Sequence, residues 1–306
     1  RVLARIAALA GPAPLTLSPA KRALGGRTAD EEAYLSVASD IASFDLVSLD
    51  ADGFPSLNGS REGEIERFGN GSLGELLQKV SWCISTEETR YYLNGVCWQY
   101  GPGGRRFVAT DGHRMAVCTY ARDISHESVS RIVPRKTVKV LQDFAGGQDV
   151  AVYGVSSGKL EFVFGTTRLR SKLIEGTYPD YERVIPKEDR IKFSLPVPVR
   201  PALAAIDQAM VAAQRDTGRA LRIHRNDDGL AAIECRNDAF GVRAATSLPC
   251  DFPEDVPEFG LNGRYLRDIL SRCSGTATLH GIDASAPFRI TDDDETMLRL
   301  QMPMRV

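Results

Sequence analysis

Ala109-Thr-Asp-Gly-His-Arg-Met-Ala-Val117 is the stretch from which the fold of this chain can be worked out. An Asp-Gly pair stands between apolar residues, which is the strongest short-range signal for a two-residue β-hairpin, because both turn positions need positive φ. Such a hairpin brings Thr110, Asp111, His113 and Arg114 together at its tip. The sequence therefore predicts two paired strands with a cluster of polar side chains at the turn, suited either to chemistry or to recognition.

The hairpin belongs to a pattern that the chain repeats. Leucines at helical spacing around Leu76 are followed by three short strand patterns, the last of which contains Met115. The same order recurs around Leu203, with Val242 in the corresponding last strand. Each pair of equivalent positions is 127 residues apart. A fixed offset of this kind is typical of tandem copies of one structural unit.

A second repeated element lies between these copies. The helix pattern Pro134–Ala145 is followed by a Gly-Gly pair and three strand patterns, and its counterpart is Asn262–Cys273 with the strands that follow it. Val138 and Leu266 are equivalent positions, 128 residues apart. Val2–Ala10, with the strand patterns behind it, matches the same element a third time. The chain is therefore expected to hold two complete domains and the trailing half of another.

Turn-forming residues mark the expected boundaries between these domains. Phe54-Pro-Ser-Leu-Asn-Gly59 and Ile185-Pro-Lys-Glu-Asp189 have the composition of linkers. Pro19–Ser39 matches nothing in the other copies, and we expect an exposed, mobile insertion there. The fold class expected is α+β, and the domains expected are a partial first domain, a middle domain and a C-terminal domain at residues 1–57, 58–186 and 187–306.

The amino-acid composition limits the kinds of function that this chain can have. The 306 residues include 38 Lys and Arg against 40 Asp and Glu, a net charge of −2. Contact with a polyanion must therefore come from a locally basic face rather than from bulk charge. The six cysteines are scattered, without the paired spacing of a zinc site, which favours free thiols in a reducing compartment. No apolar run approaches the ~18 residues of a membrane span.

Basic residues recur on the exposed faces of the three related helices. Val138 and Leu141 are expected to face a sheet, as are Leu266, Ile269 and Leu270. One helix with a basic outer face is usually a solvated surface, but three equivalent ones would line a common surface able to meet phosphates without reading bases. The basic residues in question are Arg1, Arg5, Arg135, Lys136, Lys139, Arg264 and Arg267.

Five motifs together resemble one known family. They are Arg90–Gly95, Ala109–Val117, Ile132–Lys136, Lys172–Val184 and Met302–Arg305. In this order they resemble the bacterial DNA polymerase III β subunit, the β sliding clamp. The resemblance runs from the second half of the family's first domain through all of its second and third domains.

The resemblance implies a DNA-clamp fold, with two helices on one side of each domain and antiparallel sheets on the other. It further implies a cytoplasmic, non-catalytic processivity factor for DNA replication, a head-to-tail homodimeric ring around duplex DNA, without cofactor or membrane partner. The expected partners are the polymerase III catalytic subunit, the clamp loader, and repair and replication proteins that carry a short glutamine-plus-hydrophobic motif. Glu87, Thr217 and Pro287 depart from the family pattern at positions near the expected DNA loop or groove.

The same resemblance assigns residues to two surfaces. DNA contacts would come from Arg90, Tyr91 and Tyr92 at a loop tip, helped by the basic helices. Methionines such as Met115 and Met302 suit a docking groove because their side chains adapt to different partners. The residues carried over to the groove are Leu93, Thr110, Gly112, His113, Arg114, Met115, Pro179, Arg183, Val184, Met302, Pro303, Met304 and Arg305.

Other functions compete with this interpretation. Asp111, His113 and His126 would form a metal or acid–base cluster in a hydrolase, but no second histidine stands at ligand spacing from His113 and the chain has no Gly-rich phosphate loop. Taken alone, His113 would be a hydrogen-bonded turn residue, and Tyr91 and Tyr92 would be packed strand residues. A further alternative is a clamp-like adaptor that binds peptides without encircling DNA.

Overall fold

The computed structural model describes residues 2–10, 14–23, 31–48, 52, 59–101, 104–121, 129–156, 158–213 and 220–306. The chain separates into two compact units, Arg1–Asn58 and Gly59–Val306. Arg1, His126, Thr217 and most of the linker at 54–59 lie outside the described residues. None of the helices within these ranges is long and apolar enough to cross a membrane.

The first unit consists of one helix and a three-stranded antiparallel sheet. Helix α1 (Val2–Ala10) precedes β1 (Thr16–Ala23), β2 (Glu31–Ala38) and β3 (Ser43–Val47), which lie side by side in that order. Ile6 and Val37 are buried. This is the order expected for a trailing half-domain.

The expectation of a mobile insertion at 19–39 is wrong for most of that segment. Residues 19–23 belong to β1 and residues 31–38 are the whole of β2, paired from Thr16 opposite Ala38 to Ala23 opposite Glu31. Residues 24–30 lie outside the described residues. Tyr34 and Val37 have high strand propensity, and that signal outweighs the glycines and acidic residues from which the insertion was inferred.

The second unit contains the repeat. Its first copy includes 3-10 turns at Ser81–Cys83, Tyr91–Leu93 and Tyr181–Val184. Taken alone, Tyr91 and Tyr92 suggest packed strand residues, but they lie in a 3-10 turn, and the strand begins only at Gly95. The regular elements are β4 (Arg61–Phe68), α2 (Ser72–Val80), β5 (Gly95–Tyr100), β6 (Arg105–Thr110), β7 (Arg114–Ala121), β8 (Val129–Pro134), α3 (Arg135–Phe144), β9 (Val150–Val155), β10 (Lys159–Phe164) and β11 (Thr167–Lys172).

The second copy has the same order of strands and helices. Its elements are β12 (Phe193–Pro198), α4 (Val199–Ala209), β13 (Ala220–Arg225), β14 (Leu230–Asn237), β15 (Val242–Asp251), β16 (Phe259–Asn262), α5 (Gly263–Leu270), β17 (Thr276–Gly281), β18 (Phe288–Thr291) and β19 (Met297–Gln301). Helices α2 and α4 begin 127 residues apart, and α3 and α5 begin 128 residues apart. The predicted internal repeat is confirmed.

The two copies share a continuous eight-stranded sheet. Its order is β12-β17-β18-β19-β7-β6-β5-β8, and the antiparallel pair β19 and β7 joins the copies from Met297 opposite Cys118 to Gln301 opposite Arg114. Two four-stranded sheets, β11-β10-β9-β4 and β15-β14-β13-β16, complete the unit. The last strand of one repeat thus pairs with the edge of the preceding repeat, because antiparallel edges leave backbone groups that must find partners.

The helices pack in pairs against the sheets, as the periodicity predicts. Val138 and Leu141 of α3 and Leu266, Ile269 and Leu270 of α5 are buried. The first helix pair lies over a core that contains Trp98, Phe107 and Phe162, and the second over Leu195, Phe259 and Phe288. Helix α5 begins where the Asn262 side chain accepts the backbone N–H groups of Arg264 and Tyr265 at 3.1 and 3.3 Å.

Candidate functional site

The tip of the β6–β7 hairpin is held by its own polar side chains. Thr110 Oγ1 donates to the Arg114 carbonyl at 2.8 Å and accepts the Gly112 N–H at 3.0 Å. Asp111 Oδ1 accepts the N–H groups of His113 and Arg114, each at 3.0 Å. The side chains of Thr110 and Asp111 are therefore engaged in shaping the turn, whereas the sequence pattern offered them for chemistry or recognition.

The turn is centred one residue later than predicted. Asp111 N–H donates to the Arg114 carbonyl, and Thr110 pairs with Met115, so Gly112 and His113 are the two central residues. Only Gly112 has positive φ, at +88°. The expectation of an Asp111-Gly112 turn with both φ values positive is wrong, because the Asp111 carboxylate accepts the N–H groups of His113 and Arg114 and Asp111 itself flanks the turn.

Arg114 joins the hairpin to the second repeat. Its Nε donates to Asp111 at 3.0 Å and its Nη1 donates to Asp268 of α5 at 2.6 Å. The guanidinium also lies over the rings of Tyr265 and Trp82, at 4.6 and 5.3 Å from their centroids. Burial would lower the pKa of Arg114, but the bonds to Asp268 and Asp111 outweigh burial and raise it. With 13% of its side chain exposed, Arg114 holds the hairpin against α5 and leaves only a small part of its surface accessible.

Apolar residues next to the hairpin form a separate cluster. Met302 of the C-terminal segment packs against it, and the Met302 N–H donates to the His113 carbonyl at 2.8 Å. Leu93 and Met115, both predicted groove residues, are buried members. This cluster, called the groove floor below, consists of Leu93, Cys97, Val108, Met115, Val117, Ile132, Tyr178, Tyr181 and Leu300, with Met302, Tyr92, Ile174, Ile185 and Leu298 packed on it.

The segment Gly176–Val184, called the second wall, borders this floor. Tyr178 and Tyr181 anchor it by their burial in the floor, whereas Pro179 and Val184 are exposed. Arg183 is 83% exposed and pairs with Asp180 at 2.7 Å. The second wall thus presents an apolar surface and a long, solvated cation at the side of a buried apolar cluster.

The end of the chain contacts a different part of the surface. Pro303 bridges to Leu261, and the Met304 N–H donates to the Gly260 carbonyl at 2.8 Å. Beyond Met302, the segment borders a hollow of about 410 Å³ together with Ala284 and Ser285. Met304 and Arg305, predicted with the rest of the groove, line this hollow.

Sequence reasoning missed Gly260, Ala284 and Ser285 as parts of this surface. A Cβ at Gly260 would lie 2.1 Å from the Met304 carbonyl oxygen, so only glycine allows the C-terminal segment to approach so closely. The available signal was a glycine inside a strand pattern, which marks a close backbone approach.

The predicted DNA loop projects beside the hairpin. Tyr91 is 53% exposed and its ring meets that of Tyr92 edge to face, with centroids 5.7 Å apart. Arg90 pairs with Glu87 at 2.6 Å. An exposed aromatic pair next to an arginine suits contact with nucleic acid, although Glu87 competes for the cation.

The predicted basic residues of the helices differ in whether a neighbouring carboxylate pairs with them. Arg135 and Lys136 are exposed at the start of α3, but Lys139 pairs with Asp143 at 3.1 Å. On α5, Arg264 is exposed, and Arg267 donates through two nitrogens to Asp207 of α4. Arg5 is exposed on α1. Asp143 thus partly neutralises Lys139 on α3, and Asp207 partly neutralises Arg267 on α5.

Burial keeps the thiols of Cys83 and Cys97 in their protonated, weakly nucleophilic form. Burial raises the pKa of Cys97 to about 11, despite a contact with the Ser130 hydroxyl at 3.1 Å. Burial likewise raises the pKa of Cys83 well above its ordinary value. Within the part of the chain that the structure describes, no group of three or more His, Cys, Asp or Glu side chains could hold a metal ion.

Comparison with known proteins gives consistent similarities. Residues 69–180 match the family model for the central domain of the DNA polymerase III beta subunit. The beta sliding clamp of Caulobacter vibrioides (strain NA1000 / CB15N) is 32% identical over 274 residues, which are 86% of this chain and 72% of that protein.

Solved structures agree in fold. The structure of the C. crescentus beta sliding clamp is similar to this chain with a TM-score of 0.81 and 28% sequence identity. The matched region covers 99% of this chain and 80% of that chain. A sliding clamp from Bartonella birtlesii, crystallised with griselimycin, has a TM-score of 0.78 and 31% sequence identity. The matched region covers 90% of this chain and 76% of that chain.

Proposed function

This chain belongs to the beta sliding clamp family, and from that premise we propose that it acts as a DNA sliding clamp. In this role it encircles duplex DNA as a processivity factor and tethers the replicative polymerase and other motif-bearing proteins. The observation that carries the proposal is the pairing of β19 with β7, which joins successive repeats edge to edge. Topological linkage also accounts for the net charge of −2, because an encircling protein does not depend on strong electrostatic attraction.

The same pairing suggests how a ring closes. In the repeat, β3 is equivalent to β19 and β15 is equivalent to β7, and each stands at the end of its sheet's strand order. Both edges carry exposed apolar side chains, including Phe44 and Val47 on β3 and Val242 on β15. We propose that β3 of one copy pairs with β15 of a second copy, giving a head-to-tail homodimer. The proposed domains are residues 1–57, 58–186 and 187–306.

The helices are the proposed DNA side of the ring. Arg135, Lys136 and Arg264 are exposed there and can meet phosphates, while Lys139 and Arg267 are held by neighbouring carboxylates. A small set of exposed cations is expected to give weak, salt-dependent and sequence-independent binding, which suits a protein that slides.

Partner proteins are proposed to dock beside the hairpin. The partly buried residues packed on the groove floor, such as Met302, leave apolar surface next to the hairpin tip and the second wall. A linear motif needs an apolar floor of this kind with a few polar groups at its rim. The polymerase III catalytic subunit, the clamp loader, and repair and replication proteins with a glutamine-plus-hydrophobic motif are the proposed partners. The hollow at Gly260, Ala284 and Ser285 would extend this groove.

Catalysis is not part of the proposed function. The Asp111 carboxylate is engaged by two backbone N–H groups and by Arg114, so it is poorly placed to act as a base. The thiol of Cys97 stays protonated near neutral pH. We propose a cytoplasmic, non-enzymatic replication protein.

Retention on circular DNA tests the proposal against the adaptor alternative. The protein, treated with a clamp loader and ATP, is expected to remain on nicked circular DNA during gel filtration and to be released when the circle is linearised. Analytical ultracentrifugation should give the mass of a dimer. A monomer that binds motif peptides but leaves circular DNA would support the adaptor instead.

A further inference from the structure

Arg90 lies where the proposed DNA loop meets the hairpin tip. Its Nε and Nη2 atoms donate to the Glu87 carboxylate at 2.8 and 2.6 Å. Its third nitrogen, Nη1, packs so closely on Gly112 that a Cβ at Gly112 would lie 2.3 Å away. One guanidinium therefore connects an acidic side chain of the loop with the backbone at the rim of the groove.

The same loop also packs against the second wall. A Cβ at Gly176, where that wall begins, would lie 3.5 Å from Tyr92 Cβ and 3.6 Å from Tyr91 Cε2. Gly176 has φ +150°, a conformation that favours glycine. The loop that carries Arg90 thus contacts both sides of the proposed groove.

Hydrogen bonds make this loop a defined element rather than a loose tether. The Ser85 N–H donates to the Leu93 carbonyl at 3.1 Å, and the Asn94 side chain donates to the Glu87 carbonyl at 3.0 Å. Leu93 itself is buried in the groove floor. These contacts hold the loop in a defined position, from which Arg90 reaches the hairpin tip.

We propose that Arg90 is a positioning residue shared by the two surfaces, and that a DNA phosphate and the Glu87 carboxylate compete for its guanidinium. The inference rests on the proposed function. Both N–H groups of Arg90 donate to the same Glu87 oxygen, Oε2, and a phosphate oxygen can accept the same pair of donors, so phosphate can replace the carboxylate. A phosphate that draws Arg90 from Glu87 also removes the guanidinium from Gly112.

This exchange determines whether duplex binding and peptide binding weaken or strengthen each other. When Arg90 leaves Gly112, the rim loses the side chain packed on it, and a bound peptide loses a nearby donor. Bound duplex therefore weakens peptide binding, and bound peptide weakens duplex binding by the same factor, because coupling between two ligands is reciprocal. Glu87 acts in the opposite direction by holding Arg90 at the rim.

Fluorescence anisotropy can measure this coupling. The probe is a fluorescein-labelled peptide with a glutamine followed by leucine and phenylalanine, titrated at low salt with and without a saturating short blunt duplex. In the wild-type chain the duplex is expected to raise the peptide Kd about fivefold, the lower end of typical allosteric couplings. In Arg90→Ala the two Kd values should coincide, with an unchanged circular dichroism spectrum and melting temperature.

Three variants separate positioning from a merely structural role. Arg90→Lys keeps a positive charge for phosphate but lacks the planar fork, so duplex binding should largely persist while the coupling disappears. Glu87→Gln should tighten duplex binding, because the competing carboxylate is gone. Glu88→Gln removes an exposed acidic side chain next to Glu87 and should leave both affinities unchanged.

Two results would overturn the inference while the proposed function survives. One is a wild-type peptide Kd that saturating duplex leaves unchanged, and the other is a coupling that persists in Arg90→Ala. If the wild-type chain binds neither the peptide nor the duplex, the proposed function itself fails, and the inference fails with it.

Discussion

The backbone N–H of Met302 donates a hydrogen bond of 2.8 Å to the carbonyl oxygen of His113. This bond continues the β19–β7 ladder one step beyond the pair of Gln301 and Arg114. It attaches the end of the second repeat to the hairpin turn of the first. The hairpin and most of the groove floor come from the first repeat, whereas Leu298, Leu300 and Met302 come from the second, so the complete groove exists only when the two repeats are joined.

Removal of Met302–Val306 should abolish binding of the motif peptide. The truncation takes away Met302 from the groove floor and leaves β19 complete to Gln301, so the fold should persist. Anisotropy with the labelled peptide measures the loss, and circular dichroism checks the fold. Removal of Val306 alone is the control and should preserve binding, and an undiminished affinity in the longer truncation would contradict the groove assignment.

Arg114→Ala should destabilise the chain by about 2 to 3 kcal/mol, because it leaves Asp111 and Asp268 without their shared cation in a partly buried setting. Urea unfolding followed by fluorescence measures the change. Arg183→Ala is a matched control, since Arg183 is 83% exposed and its loss should change stability by less than about 0.5 kcal/mol. Equal effects of the two substitutions would refute the bridging role of Arg114.

Two double variants on the same helices should differ in their effect on DNA. Arg135→Ala with Arg264→Ala removes exposed cations, whereas Lys139→Ala with Arg267→Ala removes cations already paired with Asp143 and Asp207. The first is expected to weaken duplex binding more and to lower the salt slope by roughly 0.9 for each phosphate that the protein no longer neutralises.

Duplex titrations over a range of salt concentrations decide between these variants. The quadruple variant should show at least the full effect of the first pair. Lys187→Ala with Arg190→Ala removes two exposed cations at a 3-10 turn outside these helices and controls for net charge. No difference between any of these proteins at low salt would contradict a DNA-facing role for the helices.

Acid should destabilise the chain partly through Glu161. Burial would raise the pKa of this carboxyl, but hydrogen bonds from Arg170 and Arg61 outweigh burial and hold it below the usual value of 4.5. A lowered folded-state pKa contributes stability above about pH 4.5, and that contribution is lost as the pH falls through the folded-state pKa.

Glu161→Gln should therefore be less stable than the wild-type chain at pH 7 and should lose less stability on acidification below about pH 4.5. Urea unfolding at a series of pH values measures both effects. Glu88→Gln provides the comparison for loss of one exposed carboxylate. A pH profile of Glu161→Gln that runs parallel to the wild-type profile would rule out this contribution.

The sequence was most informative about repeated and periodic features. The offsets of 127 and 128 residues, the buried faces of α3 and α5 and the presence of the β6–β7 hairpin follow from local spacing, and the structure confirms them. Where local signals conflicted, as in the segment 19–39, glycines and acidic residues suggested a loop although strand-forming residues prevailed. The fold class was predictable because each repeat carries its own pattern.

Local spacing by itself determined that the chain contains tandem copies of one α+β unit and where the hairpin lies. Only the tertiary structure decided that the turn is centred on Gly112 and His113, that Asp268 and Tyr265 hold Arg114, and that Gly260 admits the C-terminal segment. These features join residues far apart in the chain. Their partners are selected by packing and by the need to satisfy buried polar groups, and neither condition has a periodicity that a sequence displays.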